Sequence, residues 1–261
     1  MSDGYLLAND QADAGERLAA LAELFDPVTF RHLDRLGVGP GWSCWEVGAG
    51  GPGVATWLAA RTGPGGRVLA TDIDVSRLPA DGPFEVRRHD VSVDPPPTGP
   101  FDLVHARLVL VHLPRRHEAL AALVSVLRPG GWLVVEDADP ALQPRLCPDE
   151  AGPAEALANR LRDGFRTLLA ARGAELAFGR TVPRLLRTAG LRDVGADAWF
   201  PVAGPACTAL ERTTIGQIRA GLVEAGLATD EEIDTHLANL AGGTMDLTTA
   251  PLISAWGRTR P

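Results

Sequence analysis

Residues 46–53 read EVGAGGPG, and Gly48, Gly50 and Gly53 stand at the spacing G-x-G-x-x-G. Without Cβ atoms, such a turn bends sharply from strand to helix and brings backbone N–H groups close to a ligand, as dinucleotide-binding turns do with a pyrophosphate. Acids surround this turn: Glu46 two residues before Gly48, then Asp72, then Asp90. Asp72 lies where a ribose-binding acid is expected, about 20 residues beyond the glycines. Glu46 has no place in the dinucleotide pattern and is the first sign of a different ligand.

These residues need a scaffold, and the apolar pattern supplies one. SCWEVGAG is a short apolar run ending in glycines, and VATWLAARTG after it reads as a helix closed by Gly63. The alternation repeats: RVLATDI, FEVRRHDV, FDLVHA and GGWLVVEDA read as strands two to five, with EALAALVSVLRPGG as the helix before the fifth. Strands alternating with helices imply a parallel sheet covered on both faces. In residues 12–36, Leu18, Leu21, Leu24 and Phe25 have helical spacing, and Pro27 predicts a second helix starting there. Beyond residue 150 the chain reads as helix, helix, a strand-like GADAWFPVAG, helices over 206–240, and a closing strand in PLISAWGR.

Glu46-x-Gly48-x-Gly50, Asp72 ending the second strand, Asp90 after the third, and LRPGGWLVVED occur in one order. Together they resemble the class I S-adenosylmethionine-dependent methyltransferases, in a bacterial, small-molecule, natural-product branch. The resemblance is close over residues 40–140 and reaches the last strand at 251–258. It implies an α/β fold: a doubly wound, seven-stranded, mostly parallel sheet whose last strand is antiparallel. N-terminal covering helices (1–36) and helices at 150–178 and 206–240 would form a lid within a single domain.

The resemblance also implies residue roles. Gly48, Ala49 and Gly50 would pack against the methionine part of S-adenosylmethionine, with Glu46 orienting polar groups nearby. Asp72 would hold the ribose hydroxyls, Ile73 would pack on the adenine, Asp90 would accept from its amine, and Val91 would offer a backbone N–H. Tyr5 would close over the cofactor and Arg17 reach its carboxylate, Arg17 being equally readable as a solvated helix residue. The ligand carries a carboxylate, an ammonium, a sulfonium and ribose hydroxyls but no phosphate, so acids are welcome around it. Pro52 departs from the family pattern and removes one N–H donor at the helix start.

Methyl transfer at a sulfonium needs alignment, water exclusion and, for a weak nucleophile, a base. His112 sits where some small-molecule members of the family place a histidine, and imidazole suits proton removal near neutrality; the alternative is that it caps or packs the helix beginning at Leu113 and Pro114. His105, inside a strand, reads as hydrogen-bonded structure, whereas Arg107 at the strand's end could face the cofactor's amino-acid end or an acceptor oxygen. Asp137 and Asp139 could bind a substrate, with Asp137 equally a turn residue before Pro140. Trp199 and Phe200 could face an aromatic acceptor.

Composition narrows the partners. The net charge is -8 and all 25 basic residues are arginine, which argues against phosphate-backbone binding. Arginine-only usage with abundant Ala, Gly and Pro points to GC-rich coding and a bacterial source. Cys44, Cys147 and Cys207 are far apart, indicating neither a disulfide framework nor a zinc site, and the histidines lack metal-ligand spacing, so no metal is expected. An acidic start argues against a signal peptide, and no apolar run reaches about 18 residues, so the expected setting is cytoplasmic, without membrane or nucleic acid. The partners expected are a small-molecule substrate and, as an option, a second copy in a homodimer. Three other functions share the motifs: a non-methylating cyclisation or rearrangement on the same cofactor, an NAD(P)-dependent oxidoreductase, and a binding module without catalysis.

Overall fold

A computed structural model describes residues 6–7 and 13–261. The central strands are β1 (Ser43–Val47), β2 (Arg67–Asp72), β4 (Phe101–Arg107) and β5 (Leu127–Ala138), with β3 (Glu85–Arg88) at one edge and β6 (Arg192–Trp199) and β7 (Leu252–Arg258) at the other. The order is β3-β2-β1-β4-β5-β7-β6. β1 to β5 pair in parallel, and β7 runs antiparallel to both β5 and β6. The expected seven-stranded, mostly parallel sheet with an antiparallel last strand is therefore present. Cys44, Trp45, Leu69, Leu103, Val104, Leu133 and Val134 are fully buried, as a parallel sheet covered on both faces requires.

The order reverses between β1 and β4, and in open α/β sheets ligands bind at the carboxyl ends of the strands flanking such a reversal. The glycine turn follows β1 directly, and Arg107 ends β4. Both candidate elements are thereby brought to one place by topology.

Two compact units divide the chain. The sheet unit comprises Phe25–Ala138, Phe178–Trp199 and Leu252–Pro261. It contains α2 (Gly53–Thr62), α3 (Arg116–Ser125) and α5 (Val182–Thr188). The helical unit comprises Met1–Leu24, Asp139–Ala177 and Phe200–Pro251, with α4 (Pro153–Ala171), α6 (Pro205–Glu224) and α7 (Asp230–Gly242). Its core places Leu157, Leu161 and Leu168 of α4 against Ile215, Ile218 and Leu222 of α6 and Ile233 of α7, a helical three-and-four spacing. Thr229 and Glu232 form a capping box that starts α7. The helices foreseen at 206–240 are α6 and α7, and they do lie between the last two strands.

Three local expectations are corrected. Pro27 does not start a new helix: α1 runs unbroken over Ala14–Arg35 with Pro27 inside it, because a missing N–H costs one helical bond without requiring a stop when both flanks are buried. The LRPGG segment belongs to β5 rather than to the preceding helix, which ends at Ser125. The ladder pairs Phe101 with Leu127 and then Leu103 with Trp132, so the extra residues around Pro129 and Gly130 (φ +73°) bulge out of the strand. β3 is shorter than FEVRRHDV, an exposed edge of four residues, after which the His89 N–H donates to the Asp72 carbonyl.

Candidate functional site at the glycine turn

The turn after β1 has two glycines in the left-handed region, Gly48 at φ +63° and Gly50 at φ +62°. A Cβ on Gly48 would collide with the Val109 side chain. Val109 is delivered there by Leu108, a non-glycine residue at φ +56° immediately after β4; such a conformation costs on the order of 1 kcal/mol and marks a chain forced to reverse. The short 3-10 helix Leu110–His112 follows.

The turn's amides are already engaged. Ala49 donates to the Thr71 carbonyl, Gly50 to Asp72 Oδ2 and Gly51 to the Ala49 carbonyl. Pro52, the residue before α2, has no N–H at all. Past it, Gly53 lies under Asp26 of α1, whose Oδ2 stands 2.7 Å from where a Cβ would be. A pyrophosphate needs free amides and a positive helix end; this turn offers spent amides and a carboxylate.

Asp72 is buried at the end of β2. One carboxylate oxygen accepts from Gly50 N at 2.8 Å and the other from Asp74 N at 3.0 Å. Burial pushes its pKa up, only partly offset by these backbone bonds. Each oxygen keeps a further lone pair, the pattern that grips a vicinal diol. Ile73 beside it is 41% exposed, an apolar surface ready for a flat ring. Asp90 Oδ1 accepts from the backbone and hydroxyl of Ser92, its own N–H donates to Asp94 Oδ2, and Val91 packs half-buried on the main core.

Beneath the turn lies a closed network of charge. His105 of β4 bridges two buried glutamates on the neighbouring strands, with Nδ1 2.6 Å from Glu46 Oε2 and Nε2 3.4 Å from Glu136 Oε2. Burial alone would lower the His105 pKa, but the charge of Glu46 and the bonds to Glu136 and Glu46 outweigh it and push it up to about 9. Glu136 also meets His32 Nδ1 at 3.1 Å, the Ser254 hydroxyl at 2.7 Å and the Thr29 hydroxyl. Burial would raise the Glu136 pKa; instead the two histidines hold it far below the usual carboxylate range. His32 reaches Asp197 through Nε2, and against its burial both acids raise its pKa. Glu46, which the resemblance gives as orienting polar groups near the cofactor, pairs with His105 within the sheet.

The remaining residues fall into separate places. Arg107 donates to Asp26 Oδ1 at 2.7 Å and to the Thr29 hydroxyl at 2.9 Å. His112 is half-buried at the end of the 3-10 helix. Arg17 belongs to the helical unit, where it is buried and donates to the Leu7 carbonyl; it is not a solvated residue. Tyr5 lies outside the described residues. Asp137 is neither a turn residue nor open to a substrate: it is fully buried in β5, opposite Ile253, near the amides of Val109, Leu110 and Val111, and burial drives its pKa well up. Asp139 is buried too and accepts from Leu142 N. Sequence reasoning missed Asp26, Thr29, His32 and Glu136, because no local spacing links α1 to β4 and β5.

A family model described as a methyltransferase domain matches residues 45–133. Methyltransferase str2 of Strobilurus tenacellus is 34% identical over 139 residues, 52% of this chain and 49% of that protein. Methyltransferase GfsG of Streptomyces halstedii is 30% identical over 179 residues, 66% and 60% of the two chains. The chain thus spans about half to three-fifths of these curated relatives. Among solved structures, phosphoethanolamine N-methyltransferase 2 of Haemonchus contortus, in complex with phosphomonomethylethanolamine and S-adenosylhomocysteine, matches with a TM-score of 0.59 at 14% identity, over 98% of this chain and 59% of that one, a likeness of fold. Sheet order, acids around a glycine turn and a matching domain agree: residues 45–133 carry a methyltransferase domain, and the chain is similar to S-adenosylmethionine-dependent methyltransferases.

Proposed function

We propose that this chain binds S-adenosylmethionine at the turn after β1 and transfers its methyl group to a small organic acceptor. The observation that carries the reading is the pairing of a diol-gripping acid, Asp72, with a glycine turn whose amides are spent and whose helix start faces Asp26. Those residues fit a ligand with ribose hydroxyls and a cationic end, and they repel a dinucleotide's pyrophosphate. When bound, the cofactor supplies a methyl group already activated by sulfonium charge. The chain's own work is then to bind, align and exclude water.

In this reading Asp72 accepts from the two ribose hydroxyls, Ile73 covers one ring face, Asp90 accepts through Oδ2 and Val91 donates its N–H. Gly48 keeps the turn thin enough for Val109 to seat against it. His112 is the proposed base for an acceptor too weak to attack unassisted. The acceptor is proposed to be bulky or aromatic. Exposed Trp199 and Phe200 support that size.

Isothermal titration with S-adenosylhomocysteine and NADH tests the cofactor. The former is expected to bind and, at about 100 times its Kd, to stabilise the protein by about 2.7 kcal/mol; the latter is expected not to bind. Binding of NADH with none of S-adenosylhomocysteine would sink the proposal. For the base, His112→Ala should lower kcat by about 10² with unchanged cofactor affinity and remove the acid limb of the pH–rate profile; an unchanged profile assigns His112 to packing.

A further inference from the structure

Glu136 and Asp137 are consecutive acids on β5, and strand alternation sends their side chains to opposite faces of the sheet. Glu136 meets two histidines, a serine and a threonine. Asp137 shares the face of Leu133 and Val135, where Leu110, Val111, Phe178 and Val182 build the main apolar core. It is fully buried, and neither carboxyl oxygen closes a hydrogen bond of good geometry. Burial pushes its pKa well up, which favours the neutral acid at neutral pH. An acid placed this way in an apolar core costs stability, so its position calls for a reason other than packing.

The chain leaving β4 supplies that reason. The last β4–β5 pair is Arg107 with Glu136, and the Leu108 N–H still donates to the Glu136 carbonyl. Leu108 then reverses the chain at φ +56°, and the amides of Val109, Leu110 and Val111 come to lie beside the Asp137 carboxyl. None of these three amides has a backbone acceptor among the described residues, whereas the next two close the 3-10 turn, His112 donating to Val109 and Leu113 to Leu110. From the other side Gly179 packs so near the Asp137 carbonyl that a Cβ would stand 2.8 Å from it. We propose that Asp137 is a positioning residue for His112: by gathering the amides of Val109 to Val111, it sets the turn that carries the imidazole. The inference rests on the reading of His112 as base and deepens it, since β5 then fixes where that side chain stands. Being fully buried, Asp137 acts only through the turn. A neutral acid suits this task, because its carbonyl oxygen accepts from amides without placing a charge near a group that exchanges protons.

Two variants separate positioning from packing. Asp137→Asn keeps the carbonyl oxygen and the shape of a neutral acid, whereas Asp137→Leu keeps a similar volume and removes the acceptor. NMR spectra of the full chain with labelled histidine report the imidazoles, the His112 signal being assigned with His112→Ala. Asp137→Leu is expected to displace the His112 signal and to speed hydrogen exchange at Val109 to Val111 by about tenfold or more, with the His89 and His236 signals in place. Asp137→Asn is expected to restore the unaltered pattern. An unmoved His112 signal in Asp137→Leu, or equal displacement in both variants, would overturn the proposal. If the leucine variant folds poorly, the unaltered protein decides: exchange at Val109 to Val111 as fast as at exposed amides is the overturning result, and protection the supporting one. Unchanged turnover in His112→Ala would remove the base reading, and the catalytic purpose of Asp137 with it, whatever the spectra show; the two failures are thus told apart.

Discussion

The sheet unit holds two sets of acids that play opposite parts. Glu46 and Glu136, inside the sheet, share a buried partner in His105, which lies between them, and Glu136 adds His32, Thr29 and Ser254. Asp72, at the rim, accepts one backbone N–H on each oxygen, and Asp26 accepts from Arg107 through Oδ1 while its Oδ2 lies beside Gly53. Glu46, two residues from Gly48 in sequence, is the instructive case: its carboxylate is buried and paired with His105 inside the sheet.

The strongest way to break the contrast is to remove an inner acid. Glu136→Ala leaves His105 and His32 as buried cations without their shared partner, and a loss of about 3–5 kcal/mol is expected in chemical denaturation. A loss under about 1 kcal/mol would mean that the network is not ionised as described.

pH sharpens the same point. Folding raises the pKa of His105 to about 9 and that of His32 as well. The stability they contribute is complete below the unfolded value near 6.5 and is lost as pH rises through about 9. For His105 this amounts to about 3 kcal/mol, the equivalent of that displacement. Glu136 acts in the other direction: its contribution holds above its unfolded value near 4.5 and is lost on acidification. Thermal melts should therefore fall between pH 7 and 9.5, and His105→Gln should flatten that slope; a slope unchanged by the substitution would refute the assignment.

At the rim the effects should move from stability to binding. Asp72→Asn should weaken S-adenosylhomocysteine by about 10–100-fold with only a small fall in melting temperature, because the relief of a carboxylate made costly by burial offsets the loss of one of its two backbone N–H bonds, which an amide NH2 cannot accept. A large drop in stability with unchanged affinity would reverse the contrast. The smallest effect belongs to Ile73→Ala, a loss of about threefold to tenfold in affinity from lost apolar contact, with stability unchanged since Ile73 is exposed in the free protein.

Local pattern revealed much of this fold. Five of the seven strands follow short apolar runs ended by glycine, aspartate or proline, and the closing strand and the helices before it were readable from the same pattern, whereas the antiparallel direction of that strand was implied only by the family resemblance. Among the candidate site residues, Gly48, Gly50 and Asp72 could be named because turn geometry and strand-end position are local properties, whereas Ile73 was implied by the resemblance. The bulge at Pro129–Gly130 and the passage of α1 through Pro27 were not legible, since both depend on whether neighbours hold the chain past a weak point.

By itself, then, the order of residues determined the strand-turn-helix unit, the glycines that permit it and the acid that follows β2, because those depend on φ, on the two-residue period of strands and on spacing along the chain. Tertiary structure alone decided which carboxylates are spent and which are available. Asp26 and Arg107 are 81 residues apart in the chain, and Thr29 and Glu136 are 107 apart. Only the packing of α1 beside the ends of β4 and β5 brings them within bonding distance, and there the low polarity of the interior strengthens each of these charged contacts.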